Sequence, residues 1–300
     1  MRLIAARVVP LAVLAILVAA SPAVFAQDTA APAADGVSTQ EILAVRFADT
    51  PPAPAFVAVV RYTLPPGTSV PSGTTTGPRL VLAESGEITL TSTESNAGYL
   101  RAADAAPGQA SSNTSVTDAV LRAGDHFLLA DPAEIELRND GARAAVFLDA
   151  FVFPKAPLGV VAHTTMDGVV VDPLVVGVAD ALPAAPVELR IERLDLATSE
   201  QFPLTGAPGP RLFVVESGTL GLFAATGVIT YSGAAGNNPG STAGRVRTVA
   251  PGTESLLTAR GSVVVQAGAS GEARNLGRTR LVLLSVTLLP ANPATTTGLA

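Results

Sequence analysis

Two arginines occupy matching places in this chain and carry the side chains best suited to bind a ligand. Arg79 and Arg211 each follow a Gly-Pro pair and open a short apolar stretch. A guanidinium on the buried face of such a stretch needs a counter-charge, because an unpaired buried charge is costly. The counter-charge could be a carboxylate or another anion of a ligand. It could equally be a structural acid, such as Glu84, Glu216 or an acid on a neighbouring strand.

His126 is the next candidate, because Asp125 directly precedes it. An adjacent carboxylate can orient an imidazole, which suits a general base or a single ligand. The alternative is a structural histidine, since the second copy of the sequence has Glu254 near the equivalent place and no other titratable residue is known to converge on the ring. The same two interpretations apply to His163, the other histidine of the chain.

The composition excludes several kinds of chemistry. The 300 residues contain no Cys, which excludes disulfides, thiolate nucleophiles and Cys-ligated zinc. A formal net charge of −6 argues against binding to nucleic-acid phosphates. No phosphate-binding glycine loop, dinucleotide fingerprint or G-x-S-x-G serine motif occurs. Asp125, Asp131, Glu134 and Glu136 could bind Ca²⁺ weakly, but such clusters are typical of solvated turns. We therefore predict no cofactor, no bound metal and no nucleic-acid partner.

An internal repeat organises the chain. Gly77–Gly86 recurs 132 residues later as Gly209–Gly218, with seven of the ten positions identical. Towards the end of each half, Arg138–Gly141 matches Arg274–Gly277 at an offset of 136 residues. An offset that holds across separated segments indicates a tandem duplication, with a short insertion in the second copy.

The two halves span residues 35–154 and 167–290, between segments of a different kind. Residues 1–26 combine two arginines, an apolar run and small residues before a cleavage point, as secretory signal peptides do. The run has about 13 residues, shorter than the ~20 that cross a bilayer, and an uncleaved anchor is the alternative. Residues 291–300 indicate a loose tail. We expect a secreted, periplasmic or cell-envelope protein, with no membrane insertion of the mature chain.

The apolar segments are short, β-branched and separated by turn-forming residues, which predicts strands. They are Phe56–Leu64, Leu80–Ala83, Glu87–Thr91, His126–Ala130, Ile135–Arg138, Val146–Phe153, Leu189–Leu196, Leu212–Val215, Leu220–Ala224, Val263–Gln266 and Leu281–Leu289. Glu84–Gly86 predicts a hairpin turn and Asn139–Gly141 another turn. Thr39–Val45 is a weak helical candidate, and Thr93–Thr117 and Gly227–Arg245 are long loops at equivalent places. Short strands with regular turns indicate a sandwich or a barrel.

With this order of strands and turns, each half resembles a cupin β-barrel. Pro66–Gly67 and Leu80–Leu90 resemble the first motif of that family. Leu121–Asp125 resembles the start of the second motif, and Asn139 falls fifteen residues after Gly124, where that motif places an Asn. The resemblance covers about 120 residues of each half. It implies an all-β fold with two tandem cupin-like barrels of the jelly-roll type, related by internal duplication.

The metal-binding residues of the cupin family are replaced in this chain. The family's metal Glu corresponds to Arg79 and Arg211, its His pair in the first half to residues 72–76 and its third His to Ile135. Thr, Gly and Ile do not supply the converging donors that a metal ion needs. The resemblance therefore implies a metal-free protein, to which the family's metal-dependent activities do not transfer. It also implies that Arg79 faces the barrel interior, on the same side of its strand as Val81.

Three functions remain open. The first is an exported, metal-free binding module that uses Arg79, Arg211 and His126 for an unknown small ligand or a surface partner. The second is an envelope structural or interaction protein without a ligand pocket, and a homo-oligomer is compatible with either. The third is a metal-independent isomerase or epimerase acting through His126 or acidic side chains. An arginine in an open cavity would favour the binding module, and barrel interiors filled by Leu, Val and Phe would favour the structural protein. A His126 ring that faces a cavity beside another titratable group would favour the isomerase or epimerase.

Overall fold

The structure, a computed structural model, describes residues 36–71, 77–92, 97–101, 117–129, 134–154, 164–233 and 246–291. The predicted signal peptide, residues 72–76 and His163 lie outside these ranges. In chain order the strands are β1 (Val37–Phe47), β2 (Ala55–Leu64), β3 (Ser69–Pro71), β4 (Arg79–Ser85), β5 (Glu87–Ser92), β6 (Ala97–Leu100), β7 (Asp118–Arg122), β8 (His126–Leu129), β9 (Ile135–Arg138), β10 (Ala145–Phe153), β11 (Thr164–Met166), β12 (Val169–Ala179), β13 (Val187–Leu196), β14 (Gln201–Leu204), β15 (Arg211–Ser217), β16 (Thr219–Thr226), β17 (Ile229–Ser232), β18 (Arg247–Thr248), β19 (Glu254–Thr258), β20 (Ser262–Val265), β21 (Ser270–Asn275) and β22 (Leu281–Pro290). The described part of the chain contains no helix that could cross a membrane.

Four antiparallel sheets build two barrels. The first barrel has a large sheet of order β11-β12-β2-β10-β4-β8-β6 and a small sheet of order β3-β9-β5-β7. The second has a large sheet of order β1-β13-β22-β15-β20-β17-β18 and a small sheet of order β14-β21-β16-β19. The order β12-β2-β10-β4-β8-β6 of the first large sheet corresponds, strand by strand, to the order β1-β13-β22-β15-β20-β17 of the second. The small sheets repeat their order as well. The predicted fold class, all-β with two repeated barrels, is confirmed.

The two halves of the sequence exchange their first strands. β1 pairs with β13 in the second barrel, and β12 pairs with β2 in the first barrel. Each large sheet therefore contains strands from both predicted halves, residues 35–154 and 167–290. The bounds of these two domains stay a prediction. Because each half supplies a strand to the other's sheet, neither large sheet is complete from one half alone.

The helical prediction over Thr39–Val45 is wrong, because these residues lie within β1. Leu43, Val45 and Phe47 alternate along the strand and are buried between the two large sheets. That burial exists only when β13 lies beside β1, so tertiary contact decides the element. The counterpart strand β12 contains Pro173, which lies at a register shift where a strand tolerates the missing N–H.

The predicted hairpin at Glu84–Gly86 is instead a corner between two sheets. β4 pairs with β8 and β10 in the large sheet, whereas β5 pairs with β7 and β9 in the small sheet. Gly86 has a φ of +77°, and a Cβ on it would lie 2.7 Å from the Cα of Ala145. Gly218 closes the equivalent corner of the second barrel with a φ of +92°. The chain passes between sheets at a point where only glycine fits.

The two predicted long loops contain short strands. β6 lies within Thr93–Thr117 and pairs with β8, and β17 lies within Gly227–Arg245 and pairs with β20. β6 and β17 are short segments at the edges of Gly-, Ser- and Ala-rich sequence, and pairing with a neighbouring strand fixes them. The parts of these loops at 102–116 and 234–245 lie outside the described residues.

Alternation along the strands gives each large sheet two buried faces. One face of each packs against the other sheet and forms the inter-barrel core, whose members include Val57, Leu82, Leu148, Leu189, Val214 and Val286. The opposite face lines a barrel interior, where Phe127 and Phe147 lie in the first barrel and Phe213 and Leu222 in the second. Each fully buried side chain of this kind contributes roughly 1.5–3 kcal/mol. Without cysteine, this packing has no covalent support.

Gly86→Ala tests the corner between the sheets. We expect it to lower the free energy of unfolding by about 1–2 kcal/mol for the left-handed backbone and about 1–3 kcal/mol for the clash with Ala145. Gly67→Ala is the matched control, because Gly67 has a φ of +74° but nothing within 4 Å of its notional Cβ. Urea denaturation of both variants measures the difference. Equal losses would contradict a steric role for the corner glycine.

Candidate functional site

Arg79 and Asp149 form a buried ion pair in the first barrel. Arg79 Nε donates to Asp149 Oδ1 at 2.8 Å, and Nη2 donates to Oδ2 at 2.7 Å. The two side chains are only 6% and 2% exposed. Val81, on the same face of β4, belongs to the interior core of the first barrel, so the predicted inward direction of Arg79 is confirmed. Two parallel hydrogen bonds thus join one edge of the guanidinium to one carboxylate. Among the counter-charges expected for Arg79, the acid on a neighbouring strand is the one observed.

The surroundings of Arg79 favour its charged form. Burial is the largest single influence and lowers the pKa of Arg79, but the charge and hydrogen bonds of Asp149, together with Tyr62, outweigh it, and the pKa of Arg79 is raised. Burial raises the pKa of Tyr62, the charge of Asp149 adds to this, and Arg79 opposes it. The Tyr62 ring stacks on Phe147 at a centroid distance of 4.9 Å. The pair is thus enclosed by aromatic and apolar groups.

Arg211 occupies the equivalent position in the second barrel without an equivalent carboxylate. At the offset of 136 residues, Ser285 stands where the first half has Asp149. Arg211 Nε donates to Ser285 Oγ at 3.2 Å, and its Nη2 lies 3.8 Å from Glu192 Oε2, beyond hydrogen-bond distance. The Arg211 and Glu192 side chains are 24% and 15% exposed. Solvent therefore reaches a guanidinium that its neighbours hold only loosely.

Aromatic rings and burial define the electrostatics around Arg211. Its Cζ lies 4.9 Å from the ring centroid of Phe213 and 5.8 Å from that of Phe202, within cation–π range. Burial lowers the pKa of Arg211, and Glu192 opposes this only in part. The pKa of Arg211 thus shifts in the opposite direction to that of Arg79, since Glu192 lies at 3.8 Å from Arg211 whereas Asp149 lies at 2.7 Å from Arg79.

The interior faces around the two arginines differ in polarity. In the first barrel Phe56 and Phe153 both stack against Phe151, at centroid distances of 6.3 Å and 4.6 Å. At the corresponding places of the second barrel the sequence has Glu188, Arg190, Glu192, Thr287 and Leu289. We call Arg190, Glu192, Arg211, Ser285 and Thr287 the polar face of the second barrel. The fold does not require Arg190, Glu192 and Thr287 to be polar, because the first barrel has the same strand order with Ala58, Val60 and Phe151 at these places.

The strand register brings the polar face together. Thr287 lies opposite Arg211 on β15 and opposite Arg190 on β13, and Ser285 lies opposite Glu192. Thr287 Oγ1 is buried and has no hydrogen-bond partner among the residues that the structure describes. Arg190, in contrast, is held by Glu188 Oε1 at 2.6 Å. A buried hydroxyl without a partner is rare in folded proteins and indicates a group that something else can satisfy.

His126 lies on the opposite side of its strand from the first barrel's interior. Its neighbour Phe127 belongs to the interior core, while Leu128, two residues after His126, belongs to the inter-barrel core. The ring is 2% exposed and lies opposite Leu82. The predicted ligand-binding position of His126 therefore does not face a ligand inside the first barrel.

Asp125 closes the turn before β8. Its Oδ2 accepts from the backbone N–H of Arg122 at 2.9 Å and from the Tyr99 hydroxyl at 3.3 Å. These contacts are those of a turn-stabilising carboxylate. The general-base interpretation had required Asp125 to serve the imidazole inside a cavity, and the strand places the ring on the other face.

Glu84 and Glu216 pair with arginines other than Arg79 and Arg211. Arg61 donates to both carboxylate oxygens of Glu84, at 2.6 Å and 2.8 Å. Arg193, its counterpart in the repeat, donates to Glu216 at 2.8 Å and 3.3 Å. Arg61 also reaches Glu216 at 3.5 Å, which links the two halves. These acids belong to the contact between the barrels.

The Asn of the second family motif has a structural role in both halves. Asn139 Nδ2 donates to the carbonyl oxygens of Leu64 and Arg143, each at 2.8 Å, and its Oδ1 accepts from Gly141 N–H at 2.9 Å. Asn275 makes the equivalent contact to Gly277 N–H at 2.8 Å. Each Asn satisfies buried backbone groups where the chain changes sheets.

The described residues contain no cluster of three or more His, Asp or Glu side chains that could hold a metal ion. Ile135, at the third His position of the resemblance, is buried in the first barrel's interior core. Residues 72–76, which correspond to the His pair, lie outside the described ranges, as does Asp131 of the acidic cluster.

Four residues of the two arginine sites escape prediction from the sequence: Asp149, Glu192, Ser285 and Thr287. The alignment of the two repeats shows a difference at two of these places, since Ser285 replaces Asp149 and Glu192 replaces Val60. This difference can be connected to the arginines only when β10 is known to lie beside β4 and β22 beside β15. The alternation of β13 by itself is typical of a strand with one face in solvent.

The chain is similar in backbone to solved cupin-fold structures. It matches a Lactobacillus farciminis oxalate decarboxylase with 13% identity and a TM-score of 0.44, covering 88% of this chain and 85% of the other. It matches the coconut allergen cocosin with 10% identity and a TM-score of 0.42, covering 77% and 76%. A cupin 2 conserved barrel domain protein from Leptotrichia buccalis matches with 11% identity and a TM-score of 0.34, covering 86% and 91%. No protein-family model and no curated protein matches the chain. No residue role is transferred from these similarities.

Asp149→Asn tests the structural role of the buried ion pair. We expect a loss of about 3–5 kcal/mol in the free energy of unfolding, because Arg79 is left buried without a counter-charge. The double variant Arg79→Met/Asp149→Leu should recover most of this loss, since both charges are removed. Arg211→Met is the matched control, with an expected loss of about 1 kcal/mol. Urea denaturation gives all three values. An Asp149→Asn loss no larger than that of Arg211→Met would contradict the assignment.

We expect the buried His126 to make the folded protein less stable in acid. Burial lowers the pKa of His126 to about 4, with Asp125 and the Gly124 backbone opposing it in part. The unfolded chain binds this proton near pH 6.5, so stability falls as the pH drops below about 6.5 and stops falling near the folded pKa. The His126 contribution to this loss is roughly 3 kcal/mol.

His126→Gln removes the titrating group and provides the comparison. Between pH 7 and pH 4 the wild-type protein should lose roughly 3 kcal/mol more than the variant. An NMR titration of the histidine rings, assigned with the same variant, measures the His126 pKa directly. A ring that titrates near its ordinary value in the folded protein would overturn this expectation.

Proposed function

We propose that the chain is an exported, metal-free member of the cupin superfamily that acts as a non-catalytic binding module, with its ligand site on the polar face of the second barrel. One observation carries the proposal. At equivalent positions, Arg79 is engaged by the Asp149 carboxylate at 2.7–2.8 Å, while the polar contacts of Arg211 among the described residues are Ser285 at 3.2 Å and Glu192 at 3.8 Å. The second arginine keeps donors for a ligand, and the signal-like residues 1–26 support export.

The first barrel serves in this proposal as a structural copy. Its ion pair is closed, and the stacked rings of Phe56 and Phe151 occupy the places of Glu188 and Thr287 in the second barrel. A ligand there would have to separate Arg79 from Asp149 in an apolar environment, at a high cost. The predicted binding role of Arg79 therefore gives way to that of Arg211.

An envelope structural or interaction protein is the second candidate. The apolar filling of both interiors favours it, since Phe127 and Leu137 lie in the first barrel and Phe213 and Leu222 in the second. The isomerase alternative has less support, because the His126 ring lies away from the first barrel's interior. What separates the first two candidates is whether the polar face takes a ligand.

A thermal-shift screen of small polar and anionic metabolites against the purified protein tests the proposal. We expect at least one compound to stabilise the protein, by about 2.7 kcal/mol when its concentration is 100 times its Kd. The effect should be lost in Arg211→Gln and kept in Arg274→Gln, whose arginine is exposed and paired with Glu254. No stabilising compound, or one equally effective on Arg211→Gln, would favour the structural candidate. Stoichiometric transition metal in the same sample would contradict the metal-free assignment.

A further inference from the structure

We propose that the polar face of the second barrel binds a small α-amino acid, with the ligand carboxylate on Arg211 and the ligand ammonium on Glu192. This inference rests on the proposed function and names the class of ligand for the same site. It follows from the comparison of the two barrels, from the charges on the polar face and from the spacing of the two groups.

The first barrel shows how a carboxylate can bind an arginine at this position. In the first barrel, a carboxylate from β10 binds the guanidinium of Arg79 through two parallel hydrogen bonds. In the second barrel, β22 carries Ser285 at that place, which has a shorter side chain and no charge. Among the described contacts of Arg211, Ser285 accepts from Nε, and no carboxylate comes within hydrogen-bond distance. A ligand carboxylate in the position of the Asp149 carboxylate restores the bidentate pairing.

The charges around Arg211 indicate that the ligand also carries an ammonium group. Arg190 is already paired, since Glu188 lies at 2.6 Å and Glu41 at 3.6 Å. Glu192 lies 3.8 Å from Arg211 and also interacts with Arg190, as the weakest of the charges that act on Arg190. Once a ligand carboxylate takes Arg211, Glu192 faces a second negative charge in a largely buried place, which is unfavourable. A ligand that brings its own ammonium group removes that repulsion and gives Glu192 a donor.

The spacing restricts the ligand to one in which the two charged groups are adjacent. Arg211 Nη2 and Glu192 Oε2 are 3.8 Å apart, so the groups that bind them must lie on neighbouring atoms of the ligand. An α-amino acid meets this condition, because a single carbon joins its carboxylate and ammonium. A long zwitterion would place the two charges too far apart for this pair.

Thr287 supplies a third contact. Its hydroxyl is buried without a partner, directly opposite Arg211 in the strand register. The corresponding residue of the first barrel is Phe151, so a hydroxyl is not needed to form the sheet. The Thr287 hydroxyl can donate to the ligand carboxylate beside Arg211, which would satisfy a group that is otherwise unpaired.

Isothermal titration calorimetry with the full chain tests the inference on matched ligands. A thermal-shift survey of the proteinogenic L-amino acids comes first, and L-alanine and L-phenylalanine then serve as defined series. Each is compared with its carboxylate lacking the amine (propionate, phenylpropionate) and its amine lacking the carboxylate (ethylamine, phenethylamine). We expect an amino acid to bind at least about tenfold more tightly than either of its analogues, one charged contact being worth that much.

Variants separate the two halves of the site. Arg211→Gln should weaken the amino acid at least about tenfold, and Glu192→Gln should abolish the preference for the amino acid over its carboxylate analogue. Thr287→Val should weaken both the amino acid and the carboxylate. Arg274→Gln, on the outer side of the same barrel, should leave all affinities unchanged.

The outcomes distinguish this inference from the proposed function. Arg211-dependent binding of simple carboxylates as tight as that of amino acids would overturn the zwitterion while leaving the binding module intact. Amino-acid binding that Arg211→Gln does not weaken would overturn the placement of the ligand. If neither amino acids nor carboxylates bind and the broader metabolite screen also finds no ligand, the binding function itself is wrong.

Discussion

The two large sheets bury their outer faces against each other, and the rest of the molecule depends on this contact. Val57, Leu148 and Leu82 from one sheet meet Leu189, Val286 and other apolar residues from its counterpart. The exchange of β1 and β12 makes each large sheet include strands from both halves of the sequence. In a chain without disulfides, this shared core has to supply the stability that makes one body of the two barrels.

That constraint acts on one face of each sheet and leaves the other free to differ. Residues that build the shell recur in both copies, as the corner glycines Gly86 and Gly218 and the turn residues Asn139 and Asn275 do. Inside the barrels the structural constraint is weaker, because different sets of side chains can fill the same space when they satisfy their own charges. The stacked phenylalanines of the first barrel and the polar face of the second are two solutions on one framework.

The two barrels differ in how the charge of the buried arginine is compensated. In the first, Arg79 and Asp149 neutralise each other within the protein, which produces a rigid pair and leaves no capacity for a partner. In the second, Ser285 stands at the place of Asp149, and among the described residues Arg211 and Thr287 keep unused hydrogen-bonding groups. The proposed binding site rests on this difference between two otherwise equivalent frameworks. The buried His126 belongs to the framework, since its ring lies on the inter-barrel side of β8.

Period-two alternation and turn residues are local properties, so the amino-acid sequence is enough to predict the all-β class, the repeat and eleven of the twenty-two described strands. The inward direction of Arg79 follows from the resemblance to a cupin barrel, and alternation places Val81 on the same face. The three-dimensional arrangement is needed to establish that Thr39–Val45 is a strand, that Glu84–Gly86 joins two sheets and that the halves exchange strands. It also decided which acid meets which arginine. Asp149 is 70 residues from Arg79 and Ser285 is 74 from Arg211. Strand pairing alone brings such distant residues together, and no local pattern in the chain encodes that pairing.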